Sequence, residues 1–290
     1  MSRLSTHPHA CWAATDDSPV ASVAALLEQG RVVFLPQLPF VVEPSERDIF
    51  SPAILSSSKN TSFDPSTDRV GGTTLTGASL DHLRDVLRRF SGVAASLVDQ
   101  LLPEYRGQIV RRRASFRPAE IEGRQTSWRK DDTRLHLDAF PTSPTHGDRI
   151  LRVFSNVNPE GRARTWRIGQ DAEAIVERFA PGLSMPLPGV GALLAALRIT
   201  KRVRTPYDAL MLQLHDRMKQ DTAFQEGSPQ ERVDLPAGSS WMTFTDQVSH
   251  AAMAGQYQFE QTFLVQVSAM LDETRSPLRL LERATGRRLV

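Results

Sequence analysis

The chain has 290 residues, of which 40% are hydrophobic and 23% charged, and a formal net charge of +2. That length can bury a large core, the composition excludes a wholly disordered chain, and the near-neutral balance does not suggest a nucleic-acid binder. A single cysteine, Cys11, excludes an internal disulfide or a cysteine zinc cluster, and with no signal-type N-terminus or membrane-length apolar run we expect a cytoplasmic protein.

Residues 1–18 read as a polar, loose segment in which His7 and His9 are surface residues. Apolar positions Val20, Val23, Ala24, Leu26 and Leu27 predict a helix over Pro19–Gly30, closed by the glycine, and Arg31–Pro36 reads as a buried strand. Ser45–Gly77 is turn-rich, the kind of long loop that tends to be functional or disordered, and its Lys59 and Asn60 are candidates for contact with an acidic substrate. From Leu80 to Leu102 the stripe Leu83, Val86, Leu87, Phe90, Val93, Ala94, Leu97, Val98 and Leu101 predicts an amphipathic helix backing a sheet, with Pro103 at its end.

Gln108–Ile121 alternates as a strand despite its arginines. A turn containing Trp128 then leads into Arg134–Pro141, and Arg149–Asn158 reads as the next strand after a proline-pinned loop holding His146. Thr165–Gly169 reads as a short strand end. Helical spacing follows over Asp171–Phe179, Ala192–Ile199 and Pro206–Gln220, where His215 reads as a structural or surface histidine. Glu226–Gln230 reads as a turn, Arg232–Phe244 as two short strands around Pro236-Ala237-Gly238, and Tyr257–Val265 as a strongly alternating strand. The tail from Pro277 is short, basic and partly helical.

The chemistry centres on His136-Leu137-Asp138. On an extended strand residues i and i+2 point the same way, so His136 and Asp138 present an imidazole and a carboxylate side by side. Iron(II) sites built from two histidines and one carboxylate need a third, distant ligand and leave adjacent positions open. His250 is preferred for that role over His146, because a ligand from a well-separated strand closes the iron face better.

On these residues the sequence resembles the 2-oxoglutarate-dependent dioxygenases, and among them the hydroxylases of 3-deoxy-D-manno-oct-2-ulosonic acid (Kdo). The likeness lies in Arg134–Pro141, Arg149–Pro159 and Arg164–Gly169, with Lys59–Pro65, Ser249-His250 and Phe259–Phe263. It implies a single α+β domain with a double-stranded β-helix (jelly-roll, cupin-like) core over about 106–270 and flanking helices. An N-terminal helical and loop extension over about 1–105, a helical insert over about 171–225 and a short basic C-terminal tail complete that expectation.

The resemblance also implies iron(II) at His136, Asp138 and His250, 2-oxoglutarate and dioxygen as co-substrates, and ascorbate as an optional reductant. The implied reaction hydroxylates C3 of Kdo in the lipopolysaccharide inner core (Kdo-lipid A), giving Ko, succinate and CO2. The distal carboxylate of 2-oxoglutarate needs a cation. Many relatives carry it on the strand after the distal histidine, yet Tyr257–Val265 holds no Arg or Lys. Arg152, whose guanidinium can grip a carboxylate with two parallel bonds, is the expected anchor, with Arg117 second and Gln261 or Thr262 adding a neutral hydrogen bond. Lys59, Asn60, Arg167 and Trp128 are the expected substrate contacts. Arg279, Arg283, Arg287 and Arg288 are expected to give peripheral contact with the inner membrane. The alternatives are an oxygenase of the same fold acting on a protein or small metabolite, and a non-catalytic jelly-roll module that binds acidic sugar.

Overall fold

The computed structural model describes residues 2–12, 22–56 and 59–290. Pro19 and Val20 of the predicted first helix, and Ser57 and Ser58, lie outside the described residues. In chain order the regular elements are β1 (Leu4–Thr6), α1 (Val23–Glu28), β2 (Val32–Leu35), β3 (Thr61–Asp64), β4 (Arg69–Gly71), α2 (Gly77–Leu101), β5 (Ile109–Arg117), β6 (Arg149–Asn156), β7 (Arg164–Asp171) and α3 (Ala172–Phe179). There follow α4 (Val190–Ala196), α5 (Pro206–Gln220), α6 (Thr222–Gly227), β8 (Glu231–Leu235), β9 (Ser240–Phe244), β10 (Val248–Ala254), β11 (Gln258–Val265) and α7 (Pro277–Thr285).

Two sheets form the roll. The larger runs β1-β2-β9-β6-β11-β5-β3-β4 and the smaller β10-β7-β8, with mostly antiparallel pairing. This is a jelly-roll core with flanking helices. The predicted stripe of α2 works as expected: Leu83, Val86, Leu87, Phe90, Ala94, Leu97 and Val98 are all buried, because apolar side chains recurring every three or four residues must face something dry. They meet the larger sheet through Phe259, whose ring centroid lies 5.2 Å from that of Phe90 and 4.6 Å from that of Phe116.

Several expectations are corrected. The N-terminal segment contributes β1, which pairs in parallel with β2, and His7 and His9 are buried at its end. The turn-rich Ser45–Gly77 stretch contains the β3–β4 hairpin; so short and polar a strand has no apolar run to announce it. The N-terminal region therefore extends both edges of the larger sheet. The residues read as a turn at Glu226 begin inside α6, which Asp221 caps through its side chain.

Between β7 and β8 the helices α3 to α6 cover the smaller sheet, with Leu210, Met211, Leu214 and Met218 of α5 in one cluster with Leu135 and Leu137. A capping box starts α5: Thr205 Oγ1 accepts from the Asp208 amide, and Asp208 accepts from the Thr205 amide. The same Asp208 carboxylate accepts from the amides of Thr145 and His146, so the cap also fixes the loop after Asp138. Thr205→Ala is expected to cost about 1 kcal/mol, read from the urea midpoint at unchanged slope.

Candidate metal centre

Residues 134–138 form no regular strand; His136 makes a single antiparallel bridge to His250 of β10. His136 and His250 exchange backbone hydrogen bonds at 3.1 and 3.0 Å, and the Asp138 amide donates to the Thr245 carbonyl at 2.8 Å. The segment's other edge is clamped by Gln225 of α6, whose side-chain oxygen accepts from the Leu135 amide and whose side-chain nitrogen donates to the Leu135 carbonyl. Held on both edges, the backbone is extended enough for His136 and Asp138 to share a side, as alternation requires.

The three candidate ligands each offer an atom, and these atoms lie within 4.8 Å of one another. His136 Nδ1 is 2.7 Å from the Arg134 carbonyl and His250 Nδ1 is 2.9 Å from the Val248 carbonyl. A carbonyl only accepts, so both Nδ1 atoms carry the proton and both Nε2 lone pairs point at the site. Burial pulls the His136 imidazole down to about 3 and lowers His250 as well, which keeps both in the neutral, ligating form. Burial alone would raise Asp138, but the Arg152 guanidinium beside it holds it well below the usual carboxylate range. Its Oδ1 sits 3.6 Å from His136 Nε2, a spacing suited to two lone pairs converging on one ion. Its buried Oδ2 has no aligned hydrogen bond. Two neutral imidazoles and one buried carboxylate fit a hard divalent ion with open positions.

A cavity of about 140 Å³ opens beside the triad. Arg152 Nη2 is 3.2 Å from Asp138 Oδ2, and its Nη1 is 2.8 Å from Glu260 Oε1. Glu260 also pairs with Arg117 at 3.0 Å. Both sequence-predicted cations thus reach the cavity, but each already faces a carboxylate. Arg164 is different. It lines the same cavity, its Nη1 donates to the Gly255 carbonyl, its Nε has no partner, and burial pulls its guanidinium down to about 9. Asp132, Glu120 and Glu260 act on it only from beyond ion-pair distance, and a buried cation without a direct carboxylate partner is an energetic liability that an anionic ligand would relieve. Opposite, Trp166 stacks on His250 at 5.3 Å and 23°, and His215 of α5 packs edge-on to His136 at 5.3 Å.

The other expected residues divide. Lys59 pairs with Asp132 at 2.9 Å, and Asp132 lines the cavity, so Lys59 reaches its rim through that carboxylate. Thr262 lies across from Arg152 in the β11–β6 register. Gln261 projects to the opposite side of β11 from Glu260 and donates to the Arg112 and Thr262 carbonyls, so it is not in the cavity. Arg167 braces the Thr133 and Gln225 carbonyls, and Asn60 donates to its neighbour Thr61; neither lines the cavity. Trp128 lies in a separate groove, stacked with Arg129. Sequence reading missed Arg164, Glu260, Trp166 and Gln225. Alternation along β7 was the available signal for two of them, since Arg164 and Trp166 share a face opposite Arg167.

Comparison with known proteins agrees with this geometry. The family model for 3-deoxy-D-manno-oct-2-ulosonic acid (Kdo) hydroxylase matches residues 12–288. No curated protein matches the chain. Among solved structures, the Kdo hydroxylase KdoO, a non-heme Fe(II) alphaketoglutarate-dependent dioxygenase, in complex with cobalt(II) is 43% identical, with a TM-score of 0.95 over 100% of this chain and 98% of that one. KdoO with alphaketoglutarate and Fe(III) is 42% identical, with a TM-score of 0.94 over 99% and 97%, and KdoO with succinate and Fe(III) is 42% identical, with a TM-score of 0.94 over 100% and 98%. The chain therefore belongs to the Kdo hydroxylase family, and with it to the iron(II)- and 2-oxoglutarate-dependent dioxygenases.

Proposed function

We propose that this enzyme hydroxylates C3 of Kdo in the lipopolysaccharide inner core, on Kdo-lipid A, yielding Ko with succinate and CO2, at the cytoplasmic face of the inner membrane. The observation that carries the reading is the buried His136, Asp138 and His250 triad, with both imidazoles turned by backbone carbonyls, inside a chain that matches the family along nearly its whole length. The solved KdoO complexes with alphaketoglutarate and with succinate support the co-substrate and its product.

His136, Asp138 and His250 hold the metal. Bound iron(II), with 2-oxoglutarate and dioxygen, supplies the oxidising power to place one oxygen in a C–H bond. Arg152 keeps Asp138 ionised and turned toward the ion, while Glu260 ties Arg152 to Arg117 across β11. Arg164 takes the distal carboxylate of 2-oxoglutarate, being the cavity arginine without a direct carboxylate partner, and Arg117 and Gln258 flank that end, while Thr262 lies outside the cavity lining. Trp166 and Phe154 keep water from the reacting face. At the rim the Lys59–Asp132 pair meets the sugar's hydroxyl groups, Lys59 donating and Asp132 accepting.

Arg164→Ala is expected to raise the 2-oxoglutarate concentration for half-maximal turnover by about tenfold or more, the scale of one lost charge-assisted contact, with little change for the sugar. Arg152→Ala is expected instead to weaken metal binding by about 10–100-fold. Steady-state titration of each variant with 2-oxoglutarate and with iron separates the roles. A raised requirement for 2-oxoglutarate in Arg152→Ala alone would return the anchor to Arg152. Succinate formed only with peptides or free metabolites would overturn the substrate assignment.

A further inference from the structure

The stretch from Leu187 to Val203 is unlike the rest of the surface. Six of the ten exposed large hydrophobic residues among the described ones lie within it: Leu187 at 76% exposure, Val190 at 38%, Leu193 at 57%, Leu197 at 61%, Ile199 at 53% and Val203 at 51%. Helix α4, at its centre, buries none of its own residues. Isolated exposed apolar side chains are ordinary, but a contiguous set on one projecting segment marks a surface that something covers.

Charge indicates what covers it. No Asp or Glu occurs between Glu177 and Asp208, while Arg198, Lys201, Arg202 and Arg204 cluster at the C-terminal end of the apolar run. Arg202 bonds to the His146 ring and Arg204 to the Pro141 carbonyl; neither forms a direct ion pair with a carboxylate, although Arg202 acts on Asp148 from beyond that distance. The pattern is one of exposed apolar residues with exposed cations beside them in the chain, which suits insertion among acyl chains under anionic headgroups. The basic tail fits this role less well. Its Arg279 pairs with Glu273 and Glu282, and Arg283 lies 3.6 Å from Glu173.

The segment is also tied to the metal centre. The Lys201 amide donates to the Thr142 carbonyl, and Arg204 reaches Pro141, both in the loop that leaves Asp138. Gly191 permits this seat, since a Cβ there would lie 2.1 Å from the Arg204 carbonyl oxygen. A groove of about 1000 Å³ separates the segment from α5, the helix whose His215 touches His136.

We propose that Leu187–Val203 is a membrane-docking element that inserts its apolar face into an anionic lipid surface and brings the mouth of the metal centre to a lipid-linked substrate. The choice of a bilayer over a protein partner rests on the function proposed above. The test is co-sedimentation of the full chain with vesicles of phosphatidylcholine, with and without phosphatidylglycerol. Wild type is expected to sediment with the anionic vesicles, far less with the neutral ones, and to be released by salt. Leu193→Asp/Leu197→Asp is expected to reduce the bound fraction by about tenfold or more. That variant should keep its circular dichroism and its cobalt(II) binding. Arg198→Glu/Lys201→Glu should remove the preference for anionic vesicles.

Unchanged binding by the Leu193→Asp/Leu197→Asp variant, or wild type left in the supernatant, would overturn the assignment. A wild-type dimer in the absence of vesicles, lost on Leu193→Asp, would also overturn it by giving the face to a second copy. Vesicle binding together with no turnover of any Kdo-containing lipid would leave the docking element standing and remove the proposed substrate. Turnover in detergent without vesicle binding would do the reverse.

Discussion

His250→Ala is expected to lower succinate formation by more than about 100-fold, beyond what is typical for loss of an outer partner of a metal ligand. His136→Ala and Asp138→Ala should match it, because an iron face built from three groups has no spare one. The fold should survive, since the backbone bonds joining residue 136 to residue 250 use no side chain. Cobalt(II) titration should show the same order of loss, which separates a missing ligand from a misfolded chain. Full activity in His250→Ala would move the third ligand to His146, yet that residue sits in the loop after Asp138 with its Nε2 bonded to the Val203 carbonyl.

The second large effect concerns stability. Arg149 and Asp246 are both completely buried, paired through Nε at 2.8 Å. Arg149 also bonds to Gln247 and lies over the Phe244 ring, 4.1 Å from its centroid. Removing the guanidinium strands a carboxylate in a dry site, so Arg149→Met is expected to cost about 3–5 kcal/mol in urea unfolding. Adding Asp246→Leu should restore much of that loss, because a buried pair replaced by apolar groups of similar volume is often close to neutral. Even beside Arg149, burial pushes the Asp246 carboxyl above its ordinary value. A carboxyl raised in the folded state gives most stability when protonated, so the deficit of Arg149→Met should shrink as pH falls and be largest at neutral pH and above. Asp246 adjoins Thr245, whose carbonyl positions Asp138, so the variant should also bind metal less tightly.

How much could be read from residues alone depended on whether the signal was local. The α2 stripe repeats over six turns and leaves no alternative face. The spacing of His136 and Asp138 is a property of any extended backbone, and it held even though the segment is no regular strand. What joins them to His250 is a sheet closure across more than a hundred residues, and there the residue pattern supplied a candidate while the register supplied the contact. The carboxylate anchor was harder. Arg152 and Arg117 were chosen as cations on the right strands, but whether a cation is free depends on which acids face it. Glu260 and Asp138 pair directly with Arg152, and only the folded chain shows that Arg164 has no carboxylate within ion-pair distance, which is why it is proposed as the anchor. Gln261 failed through strand parity: one position along β11 turns a side chain from cavity to sheet back.

The most direct test is turnover of purified protein on Kdo-lipid A with iron(II), 2-oxoglutarate and dioxygen, following succinate and the mass of the sugar together. The expected result is one succinate for each oxygen gained, with the added oxygen on C3 of Kdo and both signals absent in His136→Ala. Kdo-lipid A bound but unchanged in mass, with no succinate above the level in His136→Ala, would contradict the assignment.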